Sequence, residues 1–310
     1  MNPDTPPAAP ERHGAHGARG GSVPAVLVIG ATGTTGSRVV ARLAAAGHRV
    51  RAASRSARLV PGAEEVRFDW GDPASHGPAL TGVDRVYLVP PVGDPDPAEV
   101  MLPFLERARE TGVGRAVLLS SSAIPPGGPA TGLVHQALPG LFDAWAVLRP
   151  SWFMQNFAGA HPHAVSIREA GAIRTAAGDG RVGFVDAEDI AAVAVHALTD
   201  ARSPDTDLVL TGPRALSYDE VAAVVGRTTG RPVVHERLRH EEMRDHLAAT
   251  GMPVPFAELL AGLDRAIAQG AEDRVTDTVR RLTGRPPGNF DTFVARELRP
   301  LTRGPAVQGR

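Results

Sequence analysis

The stretch "VLVIGATGTTGSRVVARLAAAGHRV" (Val26–Val50) decides the fold of this chain. A short apolar run ends at Gly30, and two more glycines follow at Gly33 and Gly36. Such a run is typical of a buried parallel strand. Apolar residues then recur at helical spacing up to Gly47, where a helix is expected to end. A strand, a glycine turn and a helix in this order predict the first unit of an α/β sheet.

The glycine turn also predicts an anion site. N–H groups at a helix N-terminus attract phosphate, and glycines let the backbone approach a pyrophosphate closely. The spacing is Gly-x-x-Gly-x-x-Gly, which differs from the commoner dinucleotide fingerprint, and a tight turn without a ligand is the alternative. The residues expected to hold the phosphates are Gly30, Thr32, Gly33, Thr34, Thr35 and Gly36.

Strands and helices alternate along the first half of the chain. The predicted strands are 25–30, 48–54, 65–70, 84–91, 115–122 and 144–150, with a helix over 99–112. This alternation predicts a doubly wound parallel Rossmann sheet over residues 23–150.

Helical patterns dominate the second half of the chain. The predicted helices are 186–200, 216–230, 256–270 and 275–284. We therefore expect a smaller, mostly helical, substrate-binding lobe over residues 151–296, from which further strands could join the sheet. Residues 1–22 and 297–310 are expected to form a disordered and a flexible tail.

Composition excludes several kinds of chemistry. The 310 residues carry a formal net charge of −1, which gives no reason to expect binding to nucleic acid or to a membrane surface. The chain has no cysteine and no lysine, so disulfides, thiolate catalysis, Schiff bases and Tyr/Lys catalytic pairs are excluded. No metal site is expected, because the two histidines of "HPH" (161–163) have no third ligand nearby. A cytoplasmic monomer or homodimer acting on a small molecule is the simplest expectation.

The end of the second predicted strand indicates which dinucleotide binds. The segment "RAASRSAR" (51–58) carries Ser54 and Arg55 and no acid, whereas an NAD site usually has a carboxylate there. A guanidinium beside a hydroxyl suits a 2′-phosphate, which predicts NADP(H); a solvated arginine loop is the alternative. Asp69 either meets the adenine amine or caps its strand. Pro90 and Ser120, which follow two further strands, complete the predicted cofactor set.

Several segments resemble one known family. The segments "GATGTTG", "FDW", "YLVPP", "LLSSSAI", "VLRPSWFMQNF" and "VDAEDIA" are similar to the NmrA-like atypical short-chain dehydrogenases/reductases, over roughly residues 24–295. The resemblance is strongest to the branch that contains festuclavine dehydrogenase, through "GGPATGLVHQAL" (127–138) and "LDRAIAQGAE" (263–272). It implies reduction of an iminium with a nicotinamide cofactor.

The absence of a Tyr/Lys pair bears on that chemistry. Reduction of a ketone develops negative charge on oxygen and needs an acid, whereas reduction of an iminium does not. Ser121 is either a hydrogen-bond donor to the ligands or a strand-end cap. His135 is a proton donor, a pocket-lining residue or a histidine packed against the serine loop.

The substrate is expected where the lobe meets the sheet. The residues predicted to contact it are Tyr87, Trp152, Phe153, Met154, Asn156, Phe157 and Phe184, although the aromatic ones could instead join the two parts of the chain. Three functions remain open on sequence grounds. They are a reductase of an imine, iminium or conjugated alkene, a non-catalytic dinucleotide redox sensor, and a cyclase or isomerase that keeps the cofactor as a scaffold.

Overall fold

The computed structural model describes residues 25–56 and 59–298. The predicted tail 1–22 lies outside these residues, as do residues 299–310 of the tail predicted over 297–310 and residues 57–58 of the predicted arginine loop, whereas Glu297 is the last residue of a helix. The strands are β1 (Ala25–Ile29), β2 (Val50–Ser54), β3 (Glu64–Arg67), β4 (Val83–Leu88), β5 (Arg115–Leu119), β6 (Ala144–Pro150), β7 (Ala172–Thr175), β8 (Arg181–Val182), β9 (Thr206–Leu210), β10 (Leu216–Ser217) and β11 (Val234–Arg237).

Helices separate most of these strands. They are α1 (Gly36–Ala45), α2 (His76–Leu80), α3 (Ala98–Glu110), α4 (Gly132–Leu141), α5 (Pro162–Ala170), α6 (Ala187–Thr199), α7 (Tyr218–Thr229), α8 (His240–Ala249), α9 (Val254–Ala268), α10 (Thr278–Thr283) and α11 (Phe290–Glu297). The capping box predicted from Ser217 and Glu220 is present at the start of α7.

The central sheet has the strand order β3-β2-β1-β4-β5-β6-β9. All of its neighbouring strands run parallel. The chain moves outward from β1 to β3, returns to β4 and then proceeds in the other direction, so the switch point lies between β1 and β4. Open sheets of this kind bind ligands at the carboxyl ends of the strands beside the switch point. The predicted doubly wound Rossmann fold is therefore confirmed.

Apolar residues cover both faces of the sheet. Val39 and Leu43 of α1 pack with Ile190 of α6 on one face. Met101 and Phe104 of α3 pack with other buried residues on the opposite face. Strands buried on both sides explain the unbroken apolar runs of β1 and β5.

The second half of the chain contributes to both the sheet and the lobe. Strand β9 pairs with β6, and α6 packs on the sheet, so the chain returns to the Rossmann layers after residue 150. The remaining elements form a smaller, mostly helical lobe with two apolar clusters of its own. The division at residue 150 into a cofactor-binding and a substrate-binding part stays a prediction.

Candidate functional site

Two cavities lie at the carboxyl edge of the sheet. The first, which we call the cofactor groove, has a volume of about 430 Å³ and lies at the ends of β1, β2 and β4. The second, which we call the lobe cavity, has a volume of about 590 Å³ and lies between the ends of β5 and β6 and the helical lobe. Strands β4 and β5 are neighbours, so the two cavities follow one another along the same edge.

The glycine turn builds one end of the cofactor groove from backbone. Gly30 has a φ of +71°, which a residue with a side chain rarely adopts. A Cβ at Gly36 would overlap the carbonyl oxygen of Gly30, so only glycine lets α1 start this close to β1. Gly33 lines the groove itself, and its N–H donates to the Gly30 carbonyl oxygen at 2.9 Å. Each of the three glycines therefore has a separate structural reason.

Helix α1 starts directly after this turn. Its N-cap residue, Thr35, makes no side-chain capping hydrogen bond, so no side-chain oxygen of Thr35 occupies the N–H groups of the first turn. Ser37 Oγ donates to the Gly33 carbonyl at 2.7 Å, and Arg38 Nη1 donates to the Thr34 carbonyl at 2.7 Å. These two hydrogen bonds connect the first turn of α1 to the carbonyl groups of the glycine turn. A rigid turn with available N–H groups is the arrangement that binds a pyrophosphate.

Most of the predicted cofactor residues come together in the groove. They are Gly30, Thr32, Gly33, Ser54, Arg55, Asp69 and Pro90. Thr34, Thr35 and Gly36 lie in the adjoining turn and the start of α1. Ser120 lies elsewhere: it lines the lobe cavity together with Ser121 and bonds Thr131 Oγ1 at 2.8 Å.

Arg55 and Asp69 lie in the same wall of the groove. Arg55 is exposed, and its guanidinium has no hydrogen-bond or ion-pair partner among the described residues. Asp69 caps its loop, because its Oδ1 accepts from the Gly71 N–H at 3.0 Å while its backbone carbonyl bonds His76 at 3.0 Å. The capping and ligand-binding interpretations of Asp69 are thus compatible. The chain supplies a cradle and a free cation, which fit a phosphorylated dinucleotide.

The lobe cavity has two chemically different walls. The sheet edge contributes Ser120, Ser121 and Pro150. The facing wall is mostly apolar and is drawn from the segment after β6 and from α5, α8 and α9. Its apolar and aromatic members are Trp152, Phe153, Met243, Leu247, Met252, Phe256, Leu260 and Leu263. Of the predicted substrate residues, Trp152, Phe153 and Asn156 therefore line this cavity.

A buried carboxylate holds the serine loop. Glu272 is only 2% exposed, and it accepts from Ser122 Oγ at 2.8 Å and from Ser151 Oγ at 3.3 Å. Arg149 donates to the Ser122 carbonyl at 3.0 Å from the neighbouring strand. The ends of β5 and β6 are thus tied together beneath Ser121. Arg149 shapes this loop, as expected from the sequence, and does not line the cavity.

His135 does not reach the lobe cavity. It lies on α4, is 4% exposed, and its Nδ1 has no hydrogen-bond partner among the described residues. Burial is the main reason why its pKa falls below the ordinary value, with Arg149 also contributing. His135 lines neither the lobe cavity nor the cofactor groove, and its role as a proton donor or ligand contact stays a prediction.

Four predicted substrate residues are also part of the core. Tyr87 is completely buried in the cluster between the sheet, α1 and α6, where desolvation raises its pKa. Met154, Phe157 and Phe184 are each 1% exposed and pack in the cluster of the lobe. None of these four residues lines the lobe cavity, and their contact with a substrate stays a prediction. Trp152, Phe153 and Asn156 face the cavity, while Met154 and Phe157 anchor the segment.

The lobe cavity contains titratable groups whose place in the cavity did not follow from the sequence. Asp264 lies on α9, lines the cavity and is 8% exposed, and burial raises the pKa of its carboxyl to about 6. His163 stacks on Phe157 with ring centroids 5.6 Å apart, and desolvation lowers its pKa to about 3. The helical pattern of α9 was visible in the sequence, but that pattern does not show that Asp264 is buried in the cavity lining.

A metal centre finds no support. Across residues 25–56 and 59–298, no group of three or more His, Asp or Glu side chains is arranged to hold an ion. No helix in the same residues is long and apolar enough to cross a membrane.

Comparison with known proteins agrees with this geometry. The sequence profile of the NAD(P)H-binding family matches residues 30–201, and that of the NmrA-like family matches residues 143–284. An uncharacterized oxidoreductase of Bacillus subtilis, YesF, is 47% identical over 84% of this chain and 90% of its own length. The chain belongs to the NmrA-like family of NAD(P)H-binding oxidoreductases.

Other proteins similar to this chain have more specific names. An agroclavine dehydrogenase of Claviceps fusiformis is 41% identical over 74% of this chain and 81% of its own length. The triphenylmethane reductase of a Citrobacter species, solved with NADP(H), is 24% identical and superimposes with a TM-score of 0.72 over 88% of this chain and 100% of that structure. The resemblance stated from sequence and the nicotinamide dinucleotide cofactor are both confirmed.

Proposed function

We propose that the chain is an NADPH-dependent reductase of a C=N bond in a small hydrophobic imine or iminium. The observation that carries the proposal is the lobe cavity: an apolar chamber, beside the cofactor groove, without a Tyr/Lys pair at its sheet edge. The relative named agroclavine dehydrogenase supports a nitrogen-containing, secondary-metabolite substrate. Reduction of a conjugated alkene stays within the same proposal as a less favoured reaction.

Preference for NADPH rests on the arginine side of the groove. Arg55 and Ser54 line it, and Arg55 has no partner among the described residues. A free guanidinium beside a hydroxyl offers charge-assisted hydrogen bonds to a phosphate. Both carboxylates that line this groove are already engaged: Asp69 accepts from the Gly71 N–H, and Asp94 accepts from the Asp96 N–H. These features favour a 2′-phosphate over a free ribose hydroxyl.

The residues at the sheet edge favour C=N over C=O reduction. The bound dinucleotide supplies a hydride, and the acceptor must lie against Ser120 and Ser121. A ketone acceptor becomes an oxyanion and calls for a donor of suitable pKa, which serine does not provide. An iminium becomes a neutral amine and needs no such donor. The apolar wall with Trp152 and Phe153 then acts by positioning the ligand and excluding water.

The experiment is a survey of NADPH consumption. The purified chain is given NADPH with a cyclic imine, an N-methyl iminium, a conjugated enone, and no acceptor. The proposal expects acceptor-dependent NADPH oxidation that is fastest with the iminium, and amine formation in equal amount. NADPH binding without oxidation by any acceptor would refute the reductase and favour a redox sensor. Conversion of an acceptor without NADPH oxidation would favour a cyclase or isomerase. We further propose that the protein is cytoplasmic and is a monomer or homodimer. Light scattering tests the oligomeric state.

A further inference from the structure

One buried carboxyl in the lobe cavity takes no part in the contacts that hold the sheet edge. Asp264 lies on α9 and lines the cavity beside apolar side chains of the same helix, which are Phe256, Leu260 and Leu263. It is 8% exposed. An acidic side chain inside an apolar wall is costly unless something pairs with it.

The described residues only partly satisfy this carboxyl. Its Oδ2 accepts from the Ala176 N–H at 2.9 Å, and this is its only hydrogen bond among them. The cation lining the same cavity, Arg174, is already committed: it pairs with Glu236 at 2.6 Å and donates to Ser166 at 3.1 Å. The neighbouring His240 bonds Glu258 at 2.8 Å. No side chain of the described structure therefore neutralises Asp264.

We propose that Asp264 binds the cationic nitrogen of the ligand in the lobe cavity, either a protonated amine or an iminium. This inference rests on the proposed function, and it names the group that selects the charge of the substrate. A carboxylate in an apolar chamber binds a cation more strongly than one in water, because the surrounding dielectric is low. Trp152 and Phe256 in the same wall offer aromatic surface to the hydrocarbon part of such a ligand.

The titration of Asp264 gives the binding a pH dependence. Burial raises the pKa of this carboxyl to about 6. Above that pH the carboxylate is available for the cation, and below it the proton competes with the ligand. The other titratable groups that face this region are His161, His163 and His246 in the cavity wall, His240 of α8 and Tyr218 of α7. Burial lowers the pKa of His161 and His163, and their protonation on acidification would also repel a cation, so a variant must separate their effect.

The test is a binding measurement that requires no turnover. The probes are N,N-dimethyl-tetrahydroisoquinolinium, whose charge does not titrate, and its neutral carbon analogue, dimethyltetralin. The protein is the full chain saturated with NADP⁺, and the readout is calorimetry or the quenching of tryptophan fluorescence. Asp264→Asn keeps an oxygen to accept from Ala176 but removes the charge. Glu258→Gln is the matched control, because it removes a half-exposed charge from the same helix.

We expect Asp264→Asn to weaken binding of the cation at least about tenfold, since a hydrogen-bonded charge is lost. The neutral analogue should bind the wild type and Asp264→Asn equally within about twofold, which also reports an intact cavity. Glu258→Gln should change neither affinity by more than about twofold. Below pH 6, the cation affinity of the wild type should fall more steeply than that of Asp264→Asn.

Equal losses for the cation and the neutral analogue in Asp264→Asn would overturn the inference. So would an unchanged cation affinity or the same acid dependence in both proteins. The outcome is separate from that of the reductase proposal. A chain that binds the cation through Asp264 but reduces nothing would uphold the charge site and refute the reaction.

Discussion

The cofactor groove and the lobe cavity share one edge of the sheet but are built in different ways. One end of the groove is made of backbone around Gly30 and Gly33, within one continuous segment that leads into α1, and residues after β2, β3 and β4 complete the groove. The lobe cavity is made of side chains from separate segments between Ser120 and Asp264. A site built from backbone leaves a local pattern in the sequence, and a site built from side chains depends on tertiary packing. The difference also suggests that the groove fixes the cofactor class, whereas the cavity decides the substrate.

The largest expected effect tests the backbone part of this comparison. A Cβ at Gly33 would lie 3.2 Å from the Gly30 carbonyl oxygen, and the residue is not in the left-handed region. We therefore expect Gly33→Val to fold but to project a side chain into the groove. NADPH affinity should fall at least about 100-fold, or about 2.7 kcal/mol. The measurement is the rise in melting temperature on adding NADPH, which should disappear.

Gly114→Val is the control for this variant. Gly114 has no other heavy atom within 4 Å of a built Cβ and no positive φ, so the same change there should keep the thermal shift. A full NADPH-dependent shift in Gly33→Val would show that the phosphates lie elsewhere.

The next prediction concerns the lobe cavity, which is built from side chains, and it uses His163, one of the residues that line it. Its pKa falls from 6.5 to about 3 because its ring is desolvated, so folding holds it neutral while the unfolded chain takes up a proton below pH 6.5. Its contribution to stability is therefore complete above pH 6.5 and declines toward pH 3. The decline approaches about 1.4 kcal/mol per pH unit. Urea unfolding of wild type and His163→Gln should show a difference in unfolding free energy that shrinks on acidification by this slope.

His196→Gln supplies the comparison for the titration of His163. His196 is partly exposed on α6, and its ring bonds Asp200. Replacing it should leave the steep acid slope of the wild type between about pH 6 and pH 4, because that slope comes from His163. If His163→Gln retains that same slope, desolvation of His163 does not determine how the unfolding free energy of the protein depends on acidic pH.

A smaller effect is expected at Arg55, which lines the cofactor groove. Arg55→Glu replaces a free guanidinium with a charge that repels phosphate. NADPH affinity should fall about 10- to 100-fold while NADH affinity changes less than about twofold. Calorimetry with both nucleotides measures this. Arg202→Glu makes the same change of net charge at an exposed position remote from the groove and should leave both affinities alone. Equal weakening of NADPH and NADH by Arg55→Glu would remove the basis for the NADPH preference.

The smallest effect is expected behind the cavity wall. His135 is buried and does not line the cavity, so His135→Phe should change the rate of iminium reduction by less than about twofold. Ser121→Ala removes a hydroxyl that does line the cavity, and its apparent substrate affinity should fall about 2- to 10-fold. Steady-state kinetics on the two variants compare them. A large loss of rate in His135→Phe, with Ser121→Ala unaffected, would reverse the roles of these two residues.

The contrast between these residues shows how far sequence reasoning reached. Gly30, Gly33, Arg55 and the strands that carry them follow from local patterns, because parallel strands and glycine turns are specified within a few residues. Strand β9 was missed because its segment is short and half polar, and only pairing with β6 defines it.

The cavity wall shows where sequence reasoning ended. Composition suggested aromatic contacts from "SWFMQNF", but composition cannot tell which side chains turn inward. Phe153 lines the cavity and Phe157 packs in the core because of the 3₁₀ turn Met154–Phe157 between them. Asp264 lies in the segment "LDRAIAQGAE" that carries the family resemblance, but nothing local shows that it is buried beside distant segments.

The most direct test of C=N selectivity is a single-turnover comparison of two acceptors of the same shape. NADPH oxidation is followed with excess enzyme and either N-methyl-dihydroisoquinolinium or tetralone. Because no described residue of the lobe cavity forms a Tyr/Lys pair, the iminium should oxidise NADPH at least about 100-fold faster, the lower end of what a lost general acid costs. Oxidation of NADPH by tetralone at an equal or higher rate would contradict this selectivity and require a general acid, for which Asp264 of the same cavity would be a candidate.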